Sequence, residues 1–356
     1  MRLLAFILLW GVHTFAGAVQ IGSVHHDPAY FLPKKDKQVE INFTLSADAK
    51  TNLNIYDDRD KLVWKTSRKL IKGTYTFSWN GKDASGKPVP AEAYRYTIEA
   101  TNTQGEKTVY DTSDVTGGNS VQPQNVVWDK QKKVIRYQLT KPSRVIARLG
   151  LKNRGPLLKS VLDWVPRKAG FHEEKWDGMD ASNVINLGSH PKLEVSMQAF
   201  SLSDNTIIVG PKQDKVEFIK NMSWTKDKRT ITYKKPKRMF AHAQQPAETR
   251  GDLDIQLTLV GDYPKNKDGL PLVKGVISTR LEVKEQDRQR LLDRGFEPIF
   301  FLDGFYMHEN EMGFLPVTWR WDTKSVTDGE HFITGNIRSY EGNFGTATLK
   351  VYVKNK

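Results

Sequence analysis

The side chains of this chain best suited to chemistry are few and scattered. Met307-His308-Glu309-Asn310-Glu311-Met312 groups thioethers with an imidazole, the donor types that copper sites use, but no second histidine stands near it in sequence. The expected context is a surface loop with two partly buried methionines. His25-His26-Asp27 has ligand types too, in what reads as a flexible leader. Asp262-Tyr263-Pro264-Lys265-Asn266-Lys267-Asp268-Gly269 carries carboxylates as a calcium loop does. Its spacing is wrong for an EF-hand and its two lysines oppose the charge, so it predicts a solvated hairpin loop. No Ser/His/Asp set, Gly-rich phosphate loop, His-Glu-x-x-His helix or spaced carboxylate pair stands out as a motif. With no cysteine in the chain, thiolate catalysis, thiolate metal ligation and haem attachment are excluded. The expectation is a protein that is not an enzyme and needs no cofactor or metal.

Export sets the context for the charge. Arg2, the apolar run Leu3 to Trp10 and Ala16-Gly17-Ala18 predict a cleaved secretory signal over residues 1–18. No later segment approaches the length of a membrane span, so the mature chain carries no transmembrane segment. Export without cysteine fits a bacterial periplasmic or surface protein. The net charge of +13 favours anionic partners without specifying a fold. In that compartment the partner classes are another envelope or extracellular protein and an anionic polysaccharide, not nucleic acid. Lys226, Lys228, Arg229, Lys234, Lys235, Lys237 and Arg238 face one acid, Asp227, and are interleaved with Trp224 and Tyr233. The strip reads two ways, as an anion-binding surface or as a solvated edge whose lysines block strand pairing.

The elements that must position these residues announce themselves through a repeat. Trp79-Asn80-Gly81-Lys82-Asp83-Ala84-Ser85 returns 97 residues later as Trp176-Asp177-Gly178-Met179-Asp180-Ala181-Ser182. Gly73 and Gly170 each stand six residues before the tryptophan, and a strand-like run follows each copy. The period is too long for a solenoid unit and suits an immunoglobulin-sized β-sandwich of about 100 residues. Asn-Gly and Asp-Gly supply the positive φ of a tight turn. Trp79 and Trp176 are therefore expected to fill cores, with Asp83 and Asp180 capping their loops.

Alternation of apolar and polar residues places strands at Val39 to Leu45, Gly73 to Trp79, Tyr94 to Ala100, Val134 to Leu139, Val145 to Leu151 and Leu193 to Phe200. The one convincing helix is Glu285 to Arg294, with Leu291 and Leu292 as apolar contacts and Gly295 as its stop. The organisation read from these signals is all-β, tandem immunoglobulin-like β-sandwiches. An irregular leader (19–37) precedes a first sandwich (38–115) and a divergent second (121–212). A basic connecting segment (213–249) leads to a C-terminal sandwich (250–356).

Two resemblances follow from these residues. The first block, through Trp79, Asn80, Gly81, Asp83, Gly86 and Tyr94, resembles the immunoglobulin-like domain of the bacterial flagellar hook-capping protein (FlgD-like). The second block resembles it more distantly, with Asn183 in the place of Gly86 and no matching tyrosine. The block from 297 to 356 looks like a bacterial Ig-like domain through Phe301-Leu302-Asp303-Gly304, Trp321-Asp322-Thr323 and Asp328-Gly329-Glu330-His331. Such modules occur on enzymes, adhesins and assembly factors alike, so the resemblance implies fold and leaves function open. The reading taken forward is a non-catalytic exported binding or scaffolding protein that mediates assembly at the periplasm or cell surface. Carbohydrate or cell-wall polymer binding is the alternative, and an enzyme with an unrecognised site the third class.

Overall fold

The computed structural model describes residues 18–33, 35–211 and 250–356, which form three β-sandwich modules. The first contains β1 (Ile21–Asp27), β2 (Tyr30–Phe31), β3 (Val39–Leu45), β4 (Ala49–Tyr56), β5 (Leu62–Leu70), β6 (Gly73–Trp79), β7 (Ala93–Thr101) and β8 (Lys107–Tyr110). The second contains β9 (Gln124–Asp129), β10 (Val134–Leu139), β11 (Ser143–Leu151), β12 (Leu157–Arg167), β13 (Gly170–Lys175) and β14 (Leu193–Ser201), and a further strand, β15 (Thr206–Val209), follows it. The third contains β16 (Ile255–Leu259), β17 (Leu272–Val273), β18 (Val276–Val283), α1 (Glu285–Arg294), β19 (Phe296–Leu302), β20 (Phe305–Glu309), β21 (Val317–Asp322), β22 (Gly329–Ser339) and β23 (Phe344–Val353).

Each module stacks two sheets over one apolar layer, the arrangement that satisfies strands with a single hydrophobic face. In the first, β1-β3-β6 covers β2-β15-β7-β4-β5, with β8 beside β7. The alternation read in Val39 to Leu45 is visible in the fold: Val39, Ile41, Phe43 and Leu45 point inward while Glu40 stays exposed. In the second module β13-β10-β9 faces β12-β11-β14, and in the third β16-β18-β21 faces β17-β23-β22-β19-β20. The helix α1 spans the predicted residues and ends at Gly295, whose φ of 74° lets its N–H return to the Leu291 carbonyl. Leu291 is buried, but Leu292 is exposed and makes no core contact.

Two domain boundaries differ from the sequence reading. The leader 19–37 is not irregular throughout, because β1 pairs antiparallel with β3 and contributes Val24 to the first core. A register shift between Gly22 and His25 breaks the inward–outward pattern that would have revealed it. The second correction is topological. β15, assigned with the second sandwich, leaves it and joins the first, antiparallel to β7 and parallel to β2. Its Ile207 and Val209 enter the first core while Ile208 packs on Ala93 and Leu202. A strand buried on both sides shows a continuous apolar run instead of alternation, and Thr206–Val209 is such a run.

Candidate functional site

The repeated turn is the first site the sequence singled out, and the two copies fold alike. Trp79 donates its indole Nε1–H to the Lys82 carbonyl at 2.8 Å, as Trp176 does to Met179 at 2.8 Å. The Asn80 side chain accepts from the Lys82 N–H and that of Asp177 from the Met179 N–H. Asp83 closes its loop by accepting from the N–H groups of Ser85 and Lys87, and Asp180 from those of Val184 and Ile185. Gly81 and Gly178 have φ of 71° and 92°, and a Cβ on Gly81 would meet the Phe31 ring at 2.5 Å. Asn183 takes φ 57° where Gly86 has 80°, a left-handed conformation that asparagine tolerates. Both tryptophans are buried, Trp79 against Tyr94 and Trp176 against Trp128. The Tyr94 hydroxyl returns to the Pro90 carbonyl at 2.9 Å, as in the tyrosine corner of immunoglobulin-like folds. The turn is architecture: its tryptophan, Asn80 or Asp177, and Asp83 or Asp180 spend their polar groups within the turn's own loop.

The structure concentrates its buried charge elsewhere, where the modules meet. Arg144 of β11 reaches Glu92, in the loop before β7, at 2.8 Å, and it also donates to the Trp164 carbonyl. Arg250, at the start of the third described segment, donates to the other Glu92 oxygen at 3.2 Å and to Asp58 at 2.6 Å. The backbone N–H of Ala93 adds a third donor to Glu92 at 2.7 Å. The Arg144 and Arg250 side chains are 3% and 1% exposed. Burial alone would raise the Glu92 carboxyl, but the two guanidinium groups and the Ala93 N–H outweigh it and hold Glu92 below the ordinary carboxylate range. Asp58 is raised, by burial first and then by the Glu92 charge.

A second joint lies alongside. Arg148 of β11 donates to the Gly342 carbonyl at 2.9 Å, covers the Phe344 ring and stands 4.0 Å from Asp252. The Gly251 N–H meets Asp163 of β12 at 2.5 Å, and the Gly251 carbonyl accepts from Asn343 at 3.0 Å. Asn336 of β22 clamps the backbone of Leu157 reciprocally, accepting from its N–H and donating to its carbonyl. Ser182, inside the second copy of the turn, accepts from the Thr348 N–H. Its counterpart Ser85 bonds instead to Asp83 within its own loop. One position of the repeat has thus been turned to joining modules. Asp252 keeps 36% of its side-chain surface, yet the surrounding protein and then the Asp163 carboxylate push it up to about 7 against the pull of Arg148.

The remaining candidates fall out as follows. His25 and His26 lie in β1, not in a flexible leader, and His26 packs edge-on against Tyr96. Met307 and His308 belong to strand β20 instead of a loop; both methionines are exposed, and His308 bonds to Asn310. In the Asp262–Gly269 loop, Asn266 closes the turn by accepting from Asp268 and Leu270. Among the described residues no three ligand side chains converge as a metal would require. The basic strip Lys226, Lys228, Arg229, Lys234, Lys235, Lys237 and Arg238 lies outside the described residues. The sequence reading missed the Arg144–Glu92–Arg250–Asp58 cluster, since isolated charged residues carry no local signal of a distant partner.

The Trp79 turn, the Tyr94 corner and the two-sheet core fit the comparison with known families. Residues 32–104 match the FlgD Ig-like domain. This FlgD-type module is larger in the structure than the matched segment, since β1 and β15 lie outside it. Among solved structures, FlgD from P. aeruginosa is 18% identical, covering 34% of this chain and 84% of that one, with a TM-score of 0.22. The fibronectin(III)-like modules of Clostridium thermocellum CbhA are 10% identical over 95% of this chain and 94% of theirs, with a TM-score of 0.20. A bacterial ice-binding adhesin is 10% identical over 96% and 99%, with a TM-score of 0.19. No curated protein matches the chain. Among the described residues no helix is long and apolar enough to cross a membrane.

Proposed function

We propose that the protein is a non-catalytic, exported scaffold that holds partner proteins at fixed positions in the bacterial periplasm or at the cell surface. The observation that carries this reading is the buried cluster Arg144–Glu92–Arg250–Asp58, which ties residues of all three modules together. Modules that act only as flexible tethers need no such joint, because interfaces within a chain are by default polar and mobile. Glu92, Arg144 and Arg250 are buried with Asp58 half-buried beside them, and such a cluster offsets its desolvation only where geometry is held. The three modules then present their outer loops and edges as one body. The alternative of a glycan-stacking platform rests on exposed tryptophans and tyrosines; every tryptophan among the described residues is buried or half-buried, and Tyr306 and Tyr340 are exposed.

Affinity capture tests the proposal. The tagged mature chain is incubated with its own envelope fraction beside a Glu92→Ala variant. A stoichiometric protein partner, recovered by the native chain and lost or weakened with the variant, is the expected result. Capture of no protein, or equal capture by both forms, would remove the scaffold reading.

A further inference from the structure

The outer face of the larger sheet of the first module carries a charge pattern that the fold itself does not explain. On β4, Ala49, Thr51, Leu53 and Ile55 are buried in the sandwich, so Lys50 and Asn52 stand on the other face. The register puts Lys50 opposite Lys69 of β5 on one side and Thr101 of β7 on the other, and Thr101 opposite Lys107 of β8. Three lysines separated by up to 57 residues thus share one cross-strand row. The next row holds Ser67, Asn52 and Glu99, and the next Lys65, Asn54 and Thr97. Lys107 is paired with Glu99 at 2.8 Å, while Lys50, Lys65 and Lys69 make no ion pair among the described residues.

Like charges directly opposite each other in an antiparallel pair are destabilising. Guarding an edge accounts for Lys65 and Lys69, because β5 is the last strand of its sheet. It does not account for Lys50, which sits on a strand paired on both sides. Exposed ammonium groups and interspersed amides and hydroxyls suit a polymer with regularly spaced anions. Lys65 and Lys69 are about 13 Å apart along the strand, at about 3.3 Å per residue. A protein partner fits less well, since lysine is depleted from interface cores and aromatic or arginine anchors dominate there. Single-stranded nucleic acid needs stacking platforms. The one aromatic ring on this face, Tyr56, is already covered by Arg95.

We infer that the outer face of β5, β4, β7 and β8 binds an acidic polysaccharide, with Lys50, Lys65 and Lys69 meeting its anionic groups and Ser67 and Thr101 its hydroxyls. The surface is independent of the module joints and gives the scaffold a polymer to rest on. The test is binding of the full chain to alginate, with dextran sulfate, neutral dextran and single-stranded DNA in parallel. Replacing Lys50, Lys65 and Lys69 by glutamine is expected to weaken alginate binding about tenfold, from three exposed charge contacts. Replacing the exposed Lys130, Lys132 and Lys141 by glutamine is expected to change it less than about twofold, the effect of net charge alone. A stronger effect on dextran sulfate than on alginate would assign the face to sulfated polymers. The inference is overturned if the native chain binds neither acidic polymer, if both triple variants lose equally, or if DNA binds as tightly and depends on the same lysines. The melting temperature controls for folding: relieving the Lys50–Lys69 opposition should leave it unchanged or higher.

Discussion

Glu92→Ala is the substitution on which the joint can be judged. The carboxylate holds Arg144 at 2.8 Å and Arg250 at 3.2 Å and accepts the Ala93 N–H at 2.7 Å. Its removal leaves two guanidinium groups almost without solvent, their side chains 3% and 1% exposed. Breaking a buried charge pair from one side costs about 3–5 kcal/mol. In a cooperative unit of 150–250 residues each kcal/mol moves the melting temperature by about 2–4 °C. Scanning calorimetry at pH 7 should therefore show a fall of roughly 6–20 °C. The pairing of Glu92→Met with Arg144→Met should recover most of it, because an apolar pair of similar volume replaces a buried ion pair at little cost. The pH dependence has a fixed sign. Glu92 titrates below its ordinary value, so its contribution is complete above about pH 4.3 and fades as pH falls further. The gap between native and Glu92→Ala chains should narrow in acid. A melting point within about 2 °C of the native chain, well inside surface-substitution behaviour, would refute the joint as a source of stability.

Two further outcomes follow from the topology and the second joint. Ile207→Ala should destabilise the first module by about 2–5 kcal/mol, read from amide hydrogen exchange of β3, β6 and β7 in urea; an effect confined to the second module would show that β15 does not belong where it is drawn. The raised Asp252 carboxyl should couple docking of the third module to uptake of a proton, less strongly than a fully buried carboxyl because 36% of its side-chain surface stays exposed. Its contribution is present below its ordinary carboxylate value and is lost as pH rises through about 7. Asp252→Asn should flatten the stability profile between pH 5 and 8 of roughly neutral solutions, and an unchanged slope would exclude the group.

Much of the architecture was legible because it is local. The Trp79 and Trp176 turns are each closed by hydrogen bonds within a few residues, and α1 carries its own stop signal in Gly295. What the sequence did not reveal depends on partners far along the chain. β15 pairs with β7 across more than a hundred residues, and nothing in Thr206–Val209 distinguishes the first sheet from the second as its home. β1 was hidden by a register shift. Glu92, Arg144 and Arg250 are unremarkable single charges until folding brings them to one point, and the lysine row of the first module exists only in the register of four strands. The repeated turn made the modules readable, whereas the contacts between them rest on single residues far apart in the sequence.

A distance measurement between modules tests the scaffold account most directly. Because the chain contains no cysteine, spin labels on Lys87→Cys and Lys324→Cys, in the first and third modules, report one distance by pulsed electron resonance. The account predicts a single narrow distribution that broadens in the Glu92→Ala background. A broad distribution in the otherwise native chain, or one that Glu92→Ala leaves unchanged, would contradict it.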